Sequence, residues 1–236
     1  MVAKRRIAII PARGGSKRVP RKNIKDFNGK PMIVWTIEAA IDSKQFDKVF
    51  VSTDDEEIAE LSRKAGAEVP FLRDEYADDF STVSDVTVYT LRKIEEKFNE
   101  SFDVVVQLMA NCPLRTSSSI VDSLVNFENK NSQFQISCFS YGWSNPWWAS
   151  KLNSVGEPTK LFPDQSKMRS QDLEELYCPT GAIWIANVKS LLSSNTFYGP
   201  GHRFYPVSWI EAVDIDTMED WESAKILSAG MRAINH

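Results

Sequence analysis

The stretch Ile7-Ala8-Ile9-Ile10-Pro11-Ala12-Arg13-Gly14-Gly15-Ser16-Lys17-Arg18-Val19-Pro20-Arg21-Lys22-Asn23 joins a short apolar strand to a glycine-containing loop with five basic side chains. Adjacent glycines let a backbone approach an anionic group closely and turn several N–H groups toward it, while Arg13, Lys17, Arg18, Arg21 and Lys22 add positive charge. Such a loop is built to hold phosphates. It fits neither common nucleotide fingerprint: Gly14-Gly15-Ser16-Lys17-Arg18 lacks the Gly-Lys-Ser/Thr ending of a Walker A loop, and no Gly-x-Gly-x-x-Gly follows the strand. The bland alternative is a solvated basic loop, the usual fate of a charge run.

Outward from this stretch, strand-like and helix-like segments alternate. A strand over Arg6 to Pro11 precedes a helix over Pro31 to Ser43 and a strand over Lys48 to Thr53. Helices follow near Glu56 to Ala65 and Val83 to Phe98, then a buried strand from Phe102 to Leu108. A helix near Ser118 to Asn129 and a strand near Gln135 to Phe139 continue the pattern. This rhythm predicts an α/β, Rossmann-like, mostly parallel sheet with helices on both faces, in which ligands lie beyond the carboxyl ends of the strands. The 236 residues suit a single domain, 1–236. Between about residues 140 and 177 the rhythm breaks around Trp143-Ser144-Asn145-Pro146-Trp147-Trp148. We read 140–177 as an insertion that covers the site and contacts another subunit; the alternative is a β-rich excursion whose aromatics pack for stability.

Composition excludes several classes. Nine of the 28 Lys and Arg, and none of the 32 Asp and Glu, fall in residues 1–25 of a chain with net charge −4. Positive charge this local fits a small phosphorylated ligand better than a nucleic acid, which is met by a basic stripe or face. Cys112, Cys138 and Cys178 are odd in number and lack metal-like spacing, as in a cytoplasmic protein with reduced thiols. After Lys4-Arg5-Arg6 the apolar run stops at Pro11, too short for a signal peptide, and no run approaches a membrane span of about 20 residues. With His202 and His236 the only histidines, a Ser-His-Asp triad or His-rich zinc site is improbable, so carboxylates, lysines and arginines must carry any chemistry.

Val213-Asp214-Ile215-Asp216-Thr217 places two carboxylates at i and i+2, on the same face if the segment is a strand. Two such oxygens suit Mg²⁺, which takes one or two carboxylates together with substrate phosphates. The alternative is that Asp216 or Thr217 merely caps a helix from about Met218 to Ala229. Asp54-Asp55 reads first as the N-terminus of the helix beginning at Glu56.

The chain resembles the acylneuraminate cytidylyltransferase (CMP-sialic acid synthetase) family, which includes pseudaminic and legionaminic acid cytidylyltransferases. The resemblance rests on Ile10 to Lys17 with Pro20-Arg21-Lys22-Asn23, on Val51-Ser52-Thr53-Asp54, Phe71-Leu72-Arg73 and Cys112-Pro113-Leu114-Arg115-Thr116, and on Gly181-Ala182-Ile183-Trp184-Ile185 and Asp214-Ile215-Asp216-Thr217. It implies transfer of CMP from CTP to the anomeric hydroxyl of an acidic nine-carbon sugar, with release of pyrophosphate. It also implies a homodimer paired through the insertion. By resemblance, Arg13, Gly14, Ser16 and Lys22 engage the triphosphate, and Asn23, Arg73, Ser81 and Thr82 surround the cytosine. Asp214 and Asp216 hold Mg²⁺, and Gln107, Met109, Arg169 and Gln171 face the sugar. Arg13, Lys22 and Asp216 are the catalytic candidates, with Asp216 on the route of the hydroxyl proton.

Two departures bear on the sugar. Met109-Ala110-Asn111-Cys112 stands where the family often has Gln-Pro-Thr-Ser, and Thr180 stands where many members have Asn. An adaptable apolar Met109 suits a deoxygenated sugar with extra acyl groups, so a legionaminic or pseudaminic acid is expected over N-acetylneuraminic acid. The rivals are a cytidylyltransferase for 3-deoxy-manno-octulosonate, whose usual loop reads differently, and a non-catalytic nucleotide-binding module.

Overall fold

Ile7, Ala8, Ile9 and Ile10 are wholly buried because they form the second strand from one edge of a six-stranded sheet. The computed structural model describes residues 4–76 and 81–234. In chain order its strands and helices are β1 (Arg6–Pro11), the short hairpin β2 (Asp26–Phe27) and β3 (Lys30–Pro31), α1 (Met32–Asp42), β4 (Lys48–Ser52), α2 (Glu56–Lys64), α3 (Val83–Phe98), β5 (Val104–Gln107), α4 (Ser117–Asn129) and β6 (Phe134–Ser140). There follow a small hairpin of β7 (Ser150–Leu152) and β8 (Pro158–Lys160), then β9 (Tyr177–Asn187), α5 (Val188–Ser194), β10 (Arg203–Pro206) and α6 (Met218–Ile234). The order in the main sheet is β10-β6-β9-β5-β1-β4. Pairing is parallel except around β9, which runs antiparallel to both β5 and β6. The sheet is therefore mostly parallel, as expected, and the carboxyl ends of β1, β4, β5, β6 and β10 share one edge.

Both faces of the sheet are covered. Val104 and Val106 of β5 join α1, α2 and α4 in one apolar cluster, while Val105 points the other way, toward Val88, Leu91 and Ile94 of α3. A third cluster matters more for function. Val19 of the basic loop, Phe27, Met32, Ile215 and Trp221 of α6 pack together, and Phe27 meets Trp221 edge to face at 5.5 Å. This cluster joins the N-terminal loop to the segment that carries Asp214 and Asp216, so apolar packing sets the distance between two charged loops. Among the described residues no helix is long and apolar enough to cross a membrane, and the three cysteines are free thiols.

The helix ends show why these boundaries hold. Thr82 and Asp85 form a reciprocal capping box at the start of α3. Asp55 caps α2 by accepting from the Ile58 N–H at 3.1 Å, the role expected for the Asp54-Asp55 pair. Pro31, expected in the first turn of α1, instead precedes it, because its backbone pairs with Asp26 in the hairpin. The expected strand over Val213 to Thr217 is also corrected: the segment is extended but irregular. Its alternation survives because Ile215 is wholly buried in the third cluster while Asp214 and Asp216 flank it.

Asp55 also receives the Arg21 guanidinium, the chief reason its carboxyl lies below the usual carboxylate range. A depressed folded value means stability is contributed above the unfolded value and is lost as pH falls through the folded one. Asp55→Ala should lower stability in urea denaturation by about 1–2 kcal/mol at neutral pH, from the lost cap and ion pair. The difference should shrink below about pH 4, where the unfolded carboxyl is protonated; a difference constant across that range would contradict the pairing.

Candidate active site

The cleft lies beyond the carboxyl ends of β1 and β5. One wall is the basic loop, with Arg13, Ser16, Lys17, Arg18, Lys22 and Asn23; the opposite wall is Arg73, Tyr76, Ser81 and the first turn of α3; Met109, Ala110, Asn111 and Asp216 close the end. The loop is held from behind. The Gly14 N–H donates to Asp54 Oδ1 at 3.1 Å, the Asn23 side-chain amide donates to the Arg13 carbonyl at 3.0 Å, and Val19 is buried in the third cluster. Arg21 takes a left-handed conformation, φ 55°, and spans Asp55 and Glu57. Arg21 therefore braces the loop, and Asn23, expected near a cytosine, also fixes the backbone of Arg13.

At the closed end the charges are paired across the cleft. Lys22 Nζ lies 2.6 Å from the Ile215 carbonyl and 3.0 Å from Asp216 Oδ1, and Arg18 Nη2 lies 2.6 Å from Asp216 Oδ2. Burial pushes the Asp216 carboxyl up, but the Lys22 hydrogen bond and the charges of Lys22 and Arg18 outweigh it, leaving the value below the usual carboxylate range. Asp214 behaves oppositely. Its residue surface is exposed, yet the carboxyl is crowded by protein on its inner side; desolvation first, and the charge of Asp216 second, push it up to about 6. The Asn111 amide donates to Asp214 Oδ1 and reaches Asp216 Oδ1 at 3.4 Å, so both carboxylates converge on one side chain.

Capping does not explain this pair. Asp220 accepts from the Asp216 and Thr217 N–H groups at 3.0 and 2.7 Å, and Thr217 Oγ1 accepts from the Asp220 N–H at 3.2 Å. Thr217 and Asp220 therefore cap α6, leaving the Asp216 carboxylate on the cleft, while the Asp214 carboxylate, held by Asn111, lies beside the cleft end and is not among the residues that line it. Among the described residues no cluster of three or more His, Cys, Asp or Glu is arranged to hold a metal. Two convergent carboxylates nevertheless fit Mg²⁺, which draws its remaining oxygens from phosphate and water.

Two arginines near the cleft are structural in their observed contacts. Arg73 is buried, donates to the Ser52 carbonyl at 2.9 Å and sits 3.9 Å from Asp54; burial lowers its affinity for a proton. Arg115 is also buried, and desolvation brings it down to about 10. It donates to the Met109 carbonyl, to the Ala182 carbonyl at 2.6 Å and to Thr36 Oγ1 at 2.8 Å. The turn after β5 is thereby fixed to β9 and α1.

Of the residues expected from the sequence, Arg13, Ser16, Lys22, Asn23, Arg73, Ser81, Met109 and Asp216 line the cleft. Gly14 lies behind the wall against Asp55, and Thr82 is engaged in the α3 cap. Gln107 is wholly buried in β5, with neither amide atom hydrogen-bonded. Arg169 and Gln171 sit exposed in the excursion between β6 and β9, Arg169 paired to Asp172 at 2.8 Å, and neither lines this chain's cleft. The stretch 77–80, expected to precede the base-facing residues, lies outside the described residues. Lys17 and Arg18, expected only as charges of the basic loop, also line the cleft, as do Tyr76 and Asn111, which nothing in the sequence marks as site residues. Arg18 lay within the basic run, and Asn111 lay within a departure from the family pattern.

The fold is that of nucleotidyltransferases. The solved structure of CMP:2-keto-3-deoxy-manno-octonic acid synthetase complexed with CTP superposes with a TM-score of 0.71 at 18% identity, covering 96% of this chain and 99% of that one. Residues 7–228 match the family model described as cytidylyltransferase, and the chain belongs to that family. It is 37% identical over 224 residues to the pseudaminic acid cytidylyltransferase of Campylobacter jejuni, covering 94% of this chain and 95% of the relative. The CMP-N,N'-diacetyllegionaminic acid synthase of Legionella pneumophila is 32% identical, with 97% and 98% covered. An N-acylneuraminate cytidylyltransferase of Streptococcus agalactiae is 35% identical over 91% of this chain and 51% of that protein.

The two loop glycines face different neighbours. A Cβ on Gly14 would overlap the Asp55 carboxylate, whereas one on Gly15 would meet nothing within 4 Å. Gly14→Ala should therefore lower folding stability and with it the melting temperature, and Gly15→Ala should leave stability within about 0.5 kcal/mol of wild type, as an open surface position does. Equal melting shifts in the two variants would contradict this arrangement of the loop.

Proposed function

We propose that the protein transfers CMP from CTP to the anomeric hydroxyl of a nonulosonic acid, releasing pyrophosphate. The observation that carries this reading is the basic loop facing Asp216 across a cleft at the strand ends. The loop supplies charge for a triphosphate, and the carboxylate pair supplies oxygens for the cation that accompanies it. Membership of the family and the names of the full-length relatives support the same reaction. The likeness to the octonic acid synthetase is one of fold, and the non-catalytic alternative is disfavoured because loop and aspartate pair are both intact.

In this reading the sugar hydroxyl attacks the α-phosphorus and pyrophosphate departs in line, so the protein acts by positioning and charge neutralisation. Mg²⁺ held by Asp214 and Asp216 would supply charge stabilisation on the phosphate oxygens. Arg13 and Lys22 bear on the departing pyrophosphate, Ser16 and the loop N–H groups orient it, and Asn23 and Ser81 face the base. In this reading Asp216 lies on the route of the hydroxyl proton. Met109 lies against Gly181, where a Cβ would come within 2.7 Å of Met109 Cγ, and it offers the acceptor an apolar surface. We therefore assign a diacylated acid of the pseudaminic or legionaminic type as the preferred acceptor.

The segment between β6 and β9 carries exposed Trp143, Leu152 and Val155, at 84%, 70% and 77% of their full accessibility. Apolar exposure concentrated this way marks an interaction surface. We assign it to a second copy of the chain, whose site Arg169 and Gln171 would approach, in an enzyme working in the cytoplasm with reduced thiols.

A pyrophosphate-release assay with CTP, Mg²⁺ and a panel of nonulosonic acids tests the function. Turnover should be seen with at least one diacylated acid, at a kcat/KM above that for N-acetylneuraminic acid; preference for the latter would remove the acceptor assignment, and no turnover would remove the reaction. Asp216→Asn should cost roughly 10²-fold or more in turnover, as loss of a key electrostatic stabiliser does. Lys22→Ala should likewise lose turnover with CTP while remaining folded. Sedimentation at micromolar concentration should give a dimer; a fully active monomer would defeat the shared-site assignment.

A further inference from the structure

Asn111 joins the turn after β5 to the segment before α6 through both its main chain and its side chain. Its carbonyl accepts from the Ile215 N–H at 2.9 Å. Its amide nitrogen donates to Asp214 Oδ1 and extends to Asp216 Oδ1 and the Ile215 carbonyl, each at 3.4 Å. Only 6% of the residue is exposed, and it lines the cleft end. We infer that Asn111 is a positioning residue: its amide sets the spacing of the Asp214 and Asp216 carboxylates and thereby the affinity of the pair for a divalent cation. The inference rests on the reading that this pair holds Mg²⁺.

Two carboxylates on either side of a buried Ile215 repel each other, and side-chain rotation toward solvent would relieve that repulsion. Lys22 and Arg18 restrain Asp216 alone. Among the described residues, the hydrogen bond that restrains the Asp214 carboxylate comes from Asn111. A neutral amide donor between the two carboxylates can draw both toward one point without adding a positive charge that would compete with the cation.

The amide is itself firmly placed. Arg115 fixes the preceding turn by donating to the Met109 carbonyl at 3.3 and 3.2 Å and to the Ala182 carbonyl, so the side chain starts from a rigid backbone. Partners that orient metal ligands in this manner typically change metal affinity by 10–100-fold when removed. Asn111 stands where the common family pattern has Thr, whose shorter arm carries one hydroxyl donor. The reach to both carboxylates is thus a property of this chain's own residue.

The test compares wild type with Asn111→Ala and Asn111→Thr. The Thr variant follows the family pattern and retains the main-chain bond to Ile215. Three quantities are measured: Mn²⁺ affinity by EPR titration, the Mg²⁺ concentration giving half-maximal turnover at saturating CTP, and the melting temperature in chelator. Asn111→Ala should weaken Mn²⁺ binding and raise the Mg²⁺ requirement by about 10-fold or more. Turnover should recover at high Mg²⁺, with a small change in melting temperature. Asn111→Thr should fall between. If both variants bind Mn²⁺ as wild type does, or if only the melting temperature falls, Asn111 is merely structural and the inference is overturned. If wild type binds no Mn²⁺ and needs no divalent cation, the metal reading itself fails, and this inference with it.

Discussion

The Lys22 ammonium spans nearly the whole chain in sequence, reaching the Ile215 carbonyl and the Asp216 carboxylate 193 and 194 residues away. Its side chain is mostly withdrawn from water, so the charge requires these oxygens. Removal of the Asp216 carboxylate would leave the Lys22 charge largely withdrawn from water with the Ile215 carbonyl as its remaining oxygen, a greater cost than losing an exposed ion pair, whereas removal of Lys22 leaves Asp216 still paired with Arg18. The contact works because the apolar cluster of Val19, Phe27, Ile215 and Trp221 holds both loops in register beneath it. Packing sets the gap and the charges fill it.

The same contact gives the proposed reaction its order of charges. Lys22 and Arg18 neutralise Asp216 from the loop side, while desolvation, and then the charge of Asp216, favour the proton on Asp214. Triphosphate oxygens would compete with Asp216 for the loop cations, and a divalent cation would replace those cations at the carboxylate. In the proposed reaction nucleotide and metal would therefore be complementary additions to one charge network. Arg73 and Arg115 are a different kind of arginine, buried and committed to backbone carbonyls, and they hold the walls against which that network is set.

Local chemistry made much of the fold legible. The apolar run at Ile7 to Ile10 marked β1, and α3 has the expected ends because its pattern is helical and Thr82 caps it. The Asp54-Asp55 pair read as a helix start, and Asp55 is one. Less legible were features that depend on distant partners. β9 contains Pro179 and Gly181, both poor strand formers, and it is fixed by antiparallel pairing with β5 and β6. Val213 to Thr217 has strand-like alternation because Ile215 fits a remote cluster, although the segment has no strand partner. Asn111 gave no local signal, since its importance comes from carboxylates 103 and 105 residues away. Arg169 and Gln171 follow from resemblance alone, and within one chain they have no place in the cleft.

The proposed reaction depends above all on where a nucleotide sits. A crystal structure of the protein with CTP and Mn²⁺ should show the triphosphate along the Arg13 to Lys22 loop, with Lys22 within about 3 Å of a phosphate oxygen, the usual length of a charge-assisted hydrogen bond. Anomalous density for Mn²⁺ should lie between Asp214 and Asp216. Triphosphate density away from that loop, or Mn²⁺ bound with neither aspartate, would contradict the central claim.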